Sequence, residues 1–358
     1  MHDGLRVLDA DAHVIEPAGL FGAAAPPGVS VIDLPATTPM VPCGDPAVLE
    51  DFLADGCSAR EYLRCMDREG IDAVVLYPSI GLFVPFLPSL SPEESAGACR
   101  AYNEWLAGYR AEDPARLTGV ALVPTADVAL AAREAEHAAA LGLPGVMVRP
   151  NALYGRDLGD PAYDQLYRAL EELELTLSVH EGLGVVGPTI GRDRSDTFAM
   201  RHAMSHPMEQ MAAMASLMLL GALERHPGLR VAFLESGTGW LPYWLARLDS
   251  HAEWMEASET ASLSLRPSEY FARQCVICTD PDDPLAAWVV GEVGADHVMW
   301  ASDFPHPDAL YPEAVTSFLH ESEEHRMSEA DVATVLWETP RDWYGWADVQ
   351  AQGSSPRR

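Results

Sequence analysis

Leu5–Asp11 reads LRVLDAD, and His13 follows two residues later. The run is apolar, short and β-prone, and it ends in a carboxylate and an imidazole. By strand alternation Asp11 and His13 point the same way. The same form recurs along the chain. Further apolar runs read AVVLYP (Ala73–Pro78), LTGVALV (Leu117–Val123), GVMVR (Gly145–Arg149) and LTLSVH (Leu175–His180). They continue as RVAFLE (Arg230–Glu235), CVICT (Cys275–Thr279) and HVMWASD (His297–Asp303). Continuous apolar runs of this length fit parallel strands buried on both faces.

Helical patterns separate the runs, over 58–69, 91–112, 127–141, 160–173, 207–225, 241–257, 284–293, 312–324 and 328–337. The second opens with Ser91-Pro92-Glu93-Glu94, an N-cap with proline at the first helical position. Eight strand–helix units predict an α/β fold, a (β/α)8 TIM barrel in a single domain spanning 1–349. A doubly wound sheet is disfavoured, because no G-x-G-x-x-G follows the first strand. Two long Gly- and Pro-containing segments, about 21–55 and 181–206, read as lid loops at the carboxyl ends of the strands. Residues 350–358 read as a disordered tail.

The 358 residues hold 54 acidic and 23 basic side chains, a formal net charge of −31. Such a field disfavours nucleic acid and anionic lipid as partners. All the basic residues are Arg; the sequence has no lysine. Schiff-base chemistry, pyridoxal phosphate anchoring, a P-loop and a carboxylated-lysine metal bridge are thereby excluded. The six cysteines are sparse and form no disulfide framework. The most apolar stretch, Met208–Leu223, is too short to span a bilayer. No signal peptide is legible, so the expected location is cytoplasmic.

Barrel chemistry sits where strands end. Here the ends carry Asp11 and His13, His180 and Glu181, Glu235, and Asp303 with His306 beyond. A ring of imidazoles and carboxylates suits a divalent metal with open positions. His202 and His206, at i and i+4 in RHAMSHP, can face one ion from one helical turn. Arg149, ending its strand, is a candidate for gripping a substrate carboxylate or phosphate, or for a structural ion pair. Leu82, Phe83, Val84 and Phe86 are candidates for lining a pocket, with Phe83 and Phe86 as the aromatic contacts.

DADAHVIEP, HPGLRVAFLESGTGWLPYWLARLD and WASDFPHPD together resemble the amidohydrolase superfamily over nearly the whole chain. The closer likeness is to its amidohydrolase-2 branch, which includes aminocarboxymuconate-semialdehyde and γ-resorcylate decarboxylases. That resemblance implies Asp11, His13, His180 and Asp303 as ligands of a first metal. It also brings out a departure: the strand-six His of the decarboxylases is replaced here by Glu235. With His202, His206 and Glu235 there are donors enough for a second metal. In this the chain also resembles the TIM-barrel nonheme diiron monooxygenases of platensimycin and platencin biosynthesis. That likeness implies two divalent ions, iron favoured, with O2 as co-substrate and an apolar, diterpenoid acyl-CoA type of substrate. The alternative it leaves open is a mononuclear zinc or manganese hydrolase or nonoxidative decarboxylase of a small carboxylic acid. In that case Glu235 would be general base or Asp303 would shuttle the proton. A small-molecule substrate and a homo-oligomer are expected in either case.

Overall fold

A computed structural model describes residues 4–17, 19–22, 50–182, 188–195, 197–306 and 309–346. Most of the expected lid over 21–55, part of that over 181–206 and the tail 350–358 lie outside the described residues.

Strand ladders form at β1 (Leu8–His13), β2 (Ala73–Tyr77), β3 (Leu117–Gly119, resuming at Ala121–Leu122) and β4 (Gly145–Val148). They continue through β5 (Thr176–Val179), β6 (Arg230–Phe233), β7 (Cys275–Thr279) and β8 (Val298–Trp300). Every recorded pairing is parallel and joins strands that are consecutive in sequence. The ring closes between β1 and the segment after β8. There Asp303 N–H donates to the Asp11 carbonyl at 3.0 Å and His13 N–H to the Phe304 carbonyl at 2.6 Å. These bonds tie three of the expected ligands into one backbone seam. The architecture is the (β/α)8 barrel expected from the apolar runs, and the strands are buried almost throughout.

A principal helix follows each strand: α1 (Ala59–Glu69), α2 (Pro92–Arg110), α3 (Val128–Ala140) and α4 (Asp164–Glu172). After them come α5 (Phe198–Leu219), α6 (Leu241–Trp254), α7 (Ala286–Val293) and α8 (Ala314–Glu324). Local sequence sets several starts. Ser91 caps α2 in a full capping box with Glu94, and Asp127 caps α3 through Leu130 N–H. At the other pole Tyr344 enters the barrel interior, its hydroxyl 2.6 Å from that of Tyr77, which donates to Ser178 Oγ at 2.9 Å.

Several elements differ from expectation, among them a short helix over Glu50–Ala54 inside the expected lid 21–55 and one over Thr339–Trp343. α5 begins at Phe198, nine residues before the predicted start at Pro207, and carries Pro207 inside it. An interior proline loses one i→i−4 hydrogen bond and crowds the carbonyl four residues back, about 3 kcal/mol, which burial of Ser205, His206, Glu209 and Gln210 on the barrel side offsets. A short helix over Pro267–Gln274 was not anticipated. The stretch 328–337 splits into a helix over Glu329–Ala333 and a π-helical turn over Thr334–Glu338. Among the described residues no helix is long and apolar enough to cross a membrane.

Candidate metal centre

Asp11, His13 and His180 offer donor atoms within 4.8 Å of one another at the carboxyl pole of the barrel. His13 Nε2 lies 3.7 Å from Asp11 Oδ1 and 3.0 Å from Asp303 Oδ1. His180 Nε2 lies 3.5 Å from the same Asp11 oxygen. These contacts are close without being aimed as hydrogen bonds. Asp11 Oδ1, His13 Nε2, His180 Nε2 and both Asp303 oxygens are buried with no hydrogen-bond partner. Orphaned polar atoms in a buried pocket cost free energy, and native interiors rarely leave several together. Donors that converge on common space, rather than on each other, fit a cation.

The opposite nitrogen of each ring is already committed. His13 Nδ1 faces the Pro78 carbonyl at 2.8 Å, and His180 Nδ1 faces the Glu181 carbonyl at 2.5 Å. Carbonyls accept only, so both rings carry hydrogen on Nδ1 and turn an Nε2 lone pair to the pocket. That is the tautomer a metal requires, fixed by partners outside the donor set. Asp303 holds its position through a left-handed backbone, φ 56°, just past the end of β8.

A second group lies alongside. His202, His206 and Glu235 also bring donors within 4.8 Å of one another. His206 Nε2 is 3.3 Å from Glu235 Oε1, while Glu235 Oε2 is 3.5 Å from His180 Nε2. One carboxylate therefore faces both groups. Strand alternation would turn Glu181 away unless the chain departs from it, and past the end of β5 its Oε2 comes to 3.9 Å from His206 Nε2, where it can supply a further oxygen. Its other oxygen accepts from Arg149 Nη2 at 2.7 Å and from Asn151 Nδ2 at 3.2 Å.

Electrostatics follow this crowding. Burial alone would lower the His206 pKa, but the Glu235 carboxylate outweighs it and pushes the ring up to about 10. Burial would raise Glu235, but His206 holds it down at about 2. Burial lowers His13. Burial opposes ionisation of Asp303 too, yet His306 and His13 keep its carboxyl well below the usual range. The carboxylates stay ionised and the pocket carries a cation-attracting field.

The predicted substrate contacts fare differently. Arg149 is fully buried, with Nη2 on Glu181 and Nη1 donating to the Leu82 carbonyl at 2.8 Å. Of the two readings left open for it, the structure shows the ion pair. Phe86 is fully buried in the core. Phe83 is half-buried beside Gly182, where a Cβ would come within 3.0 Å of both its ring and Arg149 Nη1. Sequence reasoning gave no role to Ser79, whose Oγ lies 3.0 Å from His306 Nε2. It placed His306 beyond Asp303 at the strand end without giving it a role; here His306 Nδ1 is 2.8 Å from Asp303 Oδ1 and its ring stacks on His13 at 3.8 Å. The spacing D-F-P-H was the available signal.

Comparison with known proteins places this geometry. Over 286 residues the chain is 25% identical to the gamma-resorcylate decarboxylase of Polaromonas sp., covering 77% of this chain and 83% of the relative. It is 23% identical over 243 residues to 2-amino-3-carboxymuconate-6-semialdehyde decarboxylase of Dictyostelium discoideum, covering 68% of this chain and 65% of that relative's length. In fold it resembles the 5-carboxyvanillate decarboxylase of Novosphingobium aromaticivorans, solved with manganese and 4-hydroxy-3-methoxy-5-nitrobenzoic acid. The TM-score is 0.72 at 19% identity, over 96% of this chain and 97% of the other. These relatives overturn the expectation of an iron- and O2-dependent monooxygenase acting on a diterpenoid acyl-CoA. The three proteins named above are decarboxylases, and the 5-carboxyvanillate enzyme was solved with manganese. The amidohydrolase family model matches residues 8–346, essentially the whole barrel, and the chain belongs to that family.

Proposed function

We propose that the protein is a metal-dependent decarboxylase, a lyase that removes CO2 from a small aromatic carboxylic acid. The observation that carries this reading is the set of buried, unpartnered donors on Asp11, His13, His180 and Asp303. Those four residues would hold one divalent ion, manganese or zinc by donor type. Bound there, the ion would supply Lewis-acid polarisation and orientation of an anionic substrate. The decarboxylase relatives favour loss of CO2 over hydrolysis.

The chain's own residues then have a defined task. When the bond to the carboxylate breaks, its electron pair stays on the ring carbon and CO2 leaves uncharged. A proton must reach that carbon to complete the new C–H bond. His306 takes up a proton from solvent at Nδ1, 2.8 Å from Asp303 Oδ1, and as the imidazolium is the acid that delivers it. Asp303, kept ionised by His306 and His13, holds that ring toward the pocket. Phe83 offers an apolar face to the substrate ring at the mouth. Arg149 acts at one remove, as a positioning residue for Glu181.

The test is CO2 release from hydroxybenzoates, 2,6-dihydroxybenzoate and 5-carboxyvanillate included, by manganese-loaded protein under argon. Turnover without O2, abolished in His13→Ala and Asp303→Asn, is expected. Metal-loaded protein that releases no CO2 from any member of such a panel would overturn the reading.

A further inference from the structure

We infer that the same pocket binds a second divalent cation, held by His202, His206 and Glu235, with Glu235 shared between the two ions. The inference rests on the proposed first site for its neighbour, but its donors, Glu235 apart, come from α5 rather than from strand ends.

Four observations converge on it. The three donor atoms lie within 4.8 Å of one another. His206 Nε2 is buried and has no hydrogen-bond partner, even though Glu235 Oε1 is 3.3 Å away. A salt bridge made for its own sake would align the N–H with the carboxylate; this pair approaches without doing so. The two rings sit one helical turn apart with centroids 4.3 Å from each other at 45°. Rings so placed on one helical turn can each present a nitrogen to one ion. Finally, the two Glu235 oxygens divide, Oε1 toward His206 and Oε2 toward His180. A carboxylate so placed can join two cations, which this chain must do without the carboxylated lysine it lacks.

The surroundings fit a cation. Glu181 Oε2 lies 3.9 Å from His206 Nε2 and is braced from behind by Arg149 and Asn151. With Asp11 and Asp303 in the neighbouring group, four carboxylates converge on this pole of the barrel, and among the described residues the one buried arginine there is spent on Glu181. Two imidazole nitrogens beside carboxylate oxygens suit transition ions such as Zn2+, and Mn2+ through the oxygens, better than Ca2+ or Mg2+, whose sites are built of oxygen alone.

The experiment is metal stoichiometry. The protein is stripped with chelator, reloaded with Mn2+, desalted and measured by mass spectrometry of the metal. Wild type should hold about two ions per chain, and His206→Ala and the His202→Ala/His206→Ala pair about one. In the Mn2+ form, a spin-coupled pair signal in electron paramagnetic resonance should give way to that of an isolated ion in those variants. One ion per chain, removed by His13→Ala and untouched by His206→Ala, would overturn the second site and leave the decarboxylase reading standing. No retained ion at all would overturn both. Should His206→Ala fail to fold, anomalous scattering from manganese-soaked wild-type crystals decides: two peaks flanking Glu235 support the site, one peak rejects it.

Discussion

Glu235 and Asp303, just past the ends of β6 and β8, both hold left-handed backbone, with φ of 45° and 56°. Residues with a Cβ rarely adopt that region, and each instance costs on the order of 1 kcal/mol. Both carboxylates turn into the pocket from this conformation, so the strain is tied to where their oxygens must be. Glu235→Gly relieves that strain but leaves the buried His206 without its counter-charge, the larger effect, so the metal-free variant should melt below metal-free wild type. Its bound metal should fall. Calorimetry with metal analysis on the same samples checks both, and an unchanged or higher melting point in the variant would contradict the pairing.

Arg149 and Glu181 form a pair with no solvent exposure on either side chain. Removing one member of such a pair leaves a buried charge uncompensated and costs about 3–5 kcal/mol. Arg149→Met should thus lower the melting temperature markedly, and Arg149→Met with Glu181→Met together should recover much of the loss. The single variant's first symptom should be instability rather than a raised KM. A fully stable Arg149→Met protein whose KM rises would return the residue to the substrate.

Much of this pole was legible because strand ends are legible. Asp11, His13, His180, Glu235 and Asp303 each close an apolar run, and barrel geometry alone brings such ends together. His202 and His206 were legible as a pair one turn apart. What the sequence hid depends on chain direction after the strands stop. Alternation alone turns Glu181 outward, and only its position past the end of β5 brings its oxygen toward His206. Arg149 reads equally as a substrate grip or an ion pair, and the sequence does not name Glu181 as its partner. Pro207 reads as a helix start, but packing of its neighbours on the barrel carries α5 back to Phe198. Iron and O2 came with the likeness to the diiron enzymes, which rested on extra donors that manganese and zinc accept equally, so residue chemistry does not separate the reactions.

Far from the site, Asp164 makes a fork with Arg225, at 3.1 Å to Nε and 2.9 Å to Nη2, and lies 3.2 Å from His226 Nε2. Burial pushes its pKa up, but hydrogen bonds and charge from Arg225 prevail and leave it below the ordinary value. A depressed acid stabilises the fold above its unfolded pKa, near 4, and loses that contribution as pH falls through the folded value. Asp164→Asn should accordingly reduce stability at pH 7, by under about 1 kcal/mol for so accessible a pair. The difference should close as pH drops below about 3. Paired urea melts at both pH values check the sign.

Ser79 is the most direct handle on the proton path. Its hydroxyl donates to the Val14 carbonyl at 2.8 Å, so its oxygen is left to accept from His306 Nε2 at 3.0 Å. That fixes hydrogen on Nε2 and turns Nδ1 to Asp303, where a proton can be taken up and passed on. The loop is itself anchored: Glu16 accepts from the N–H groups of Ser79, Ile80 and Gly81 at 3.3, 2.9 and 2.8 Å. Ser79→Ala removes the acceptor without touching a metal donor. Metal content and KM should hold while kcat falls about tenfold, the low end for a misplaced proton carrier. The solvent deuterium isotope effect on kcat should grow as proton delivery becomes limiting. Ser79→Thr keeps the hydroxyl and should restore most of the rate. An unchanged kcat and isotope effect in Ser79→Ala would move the proton path away from His306.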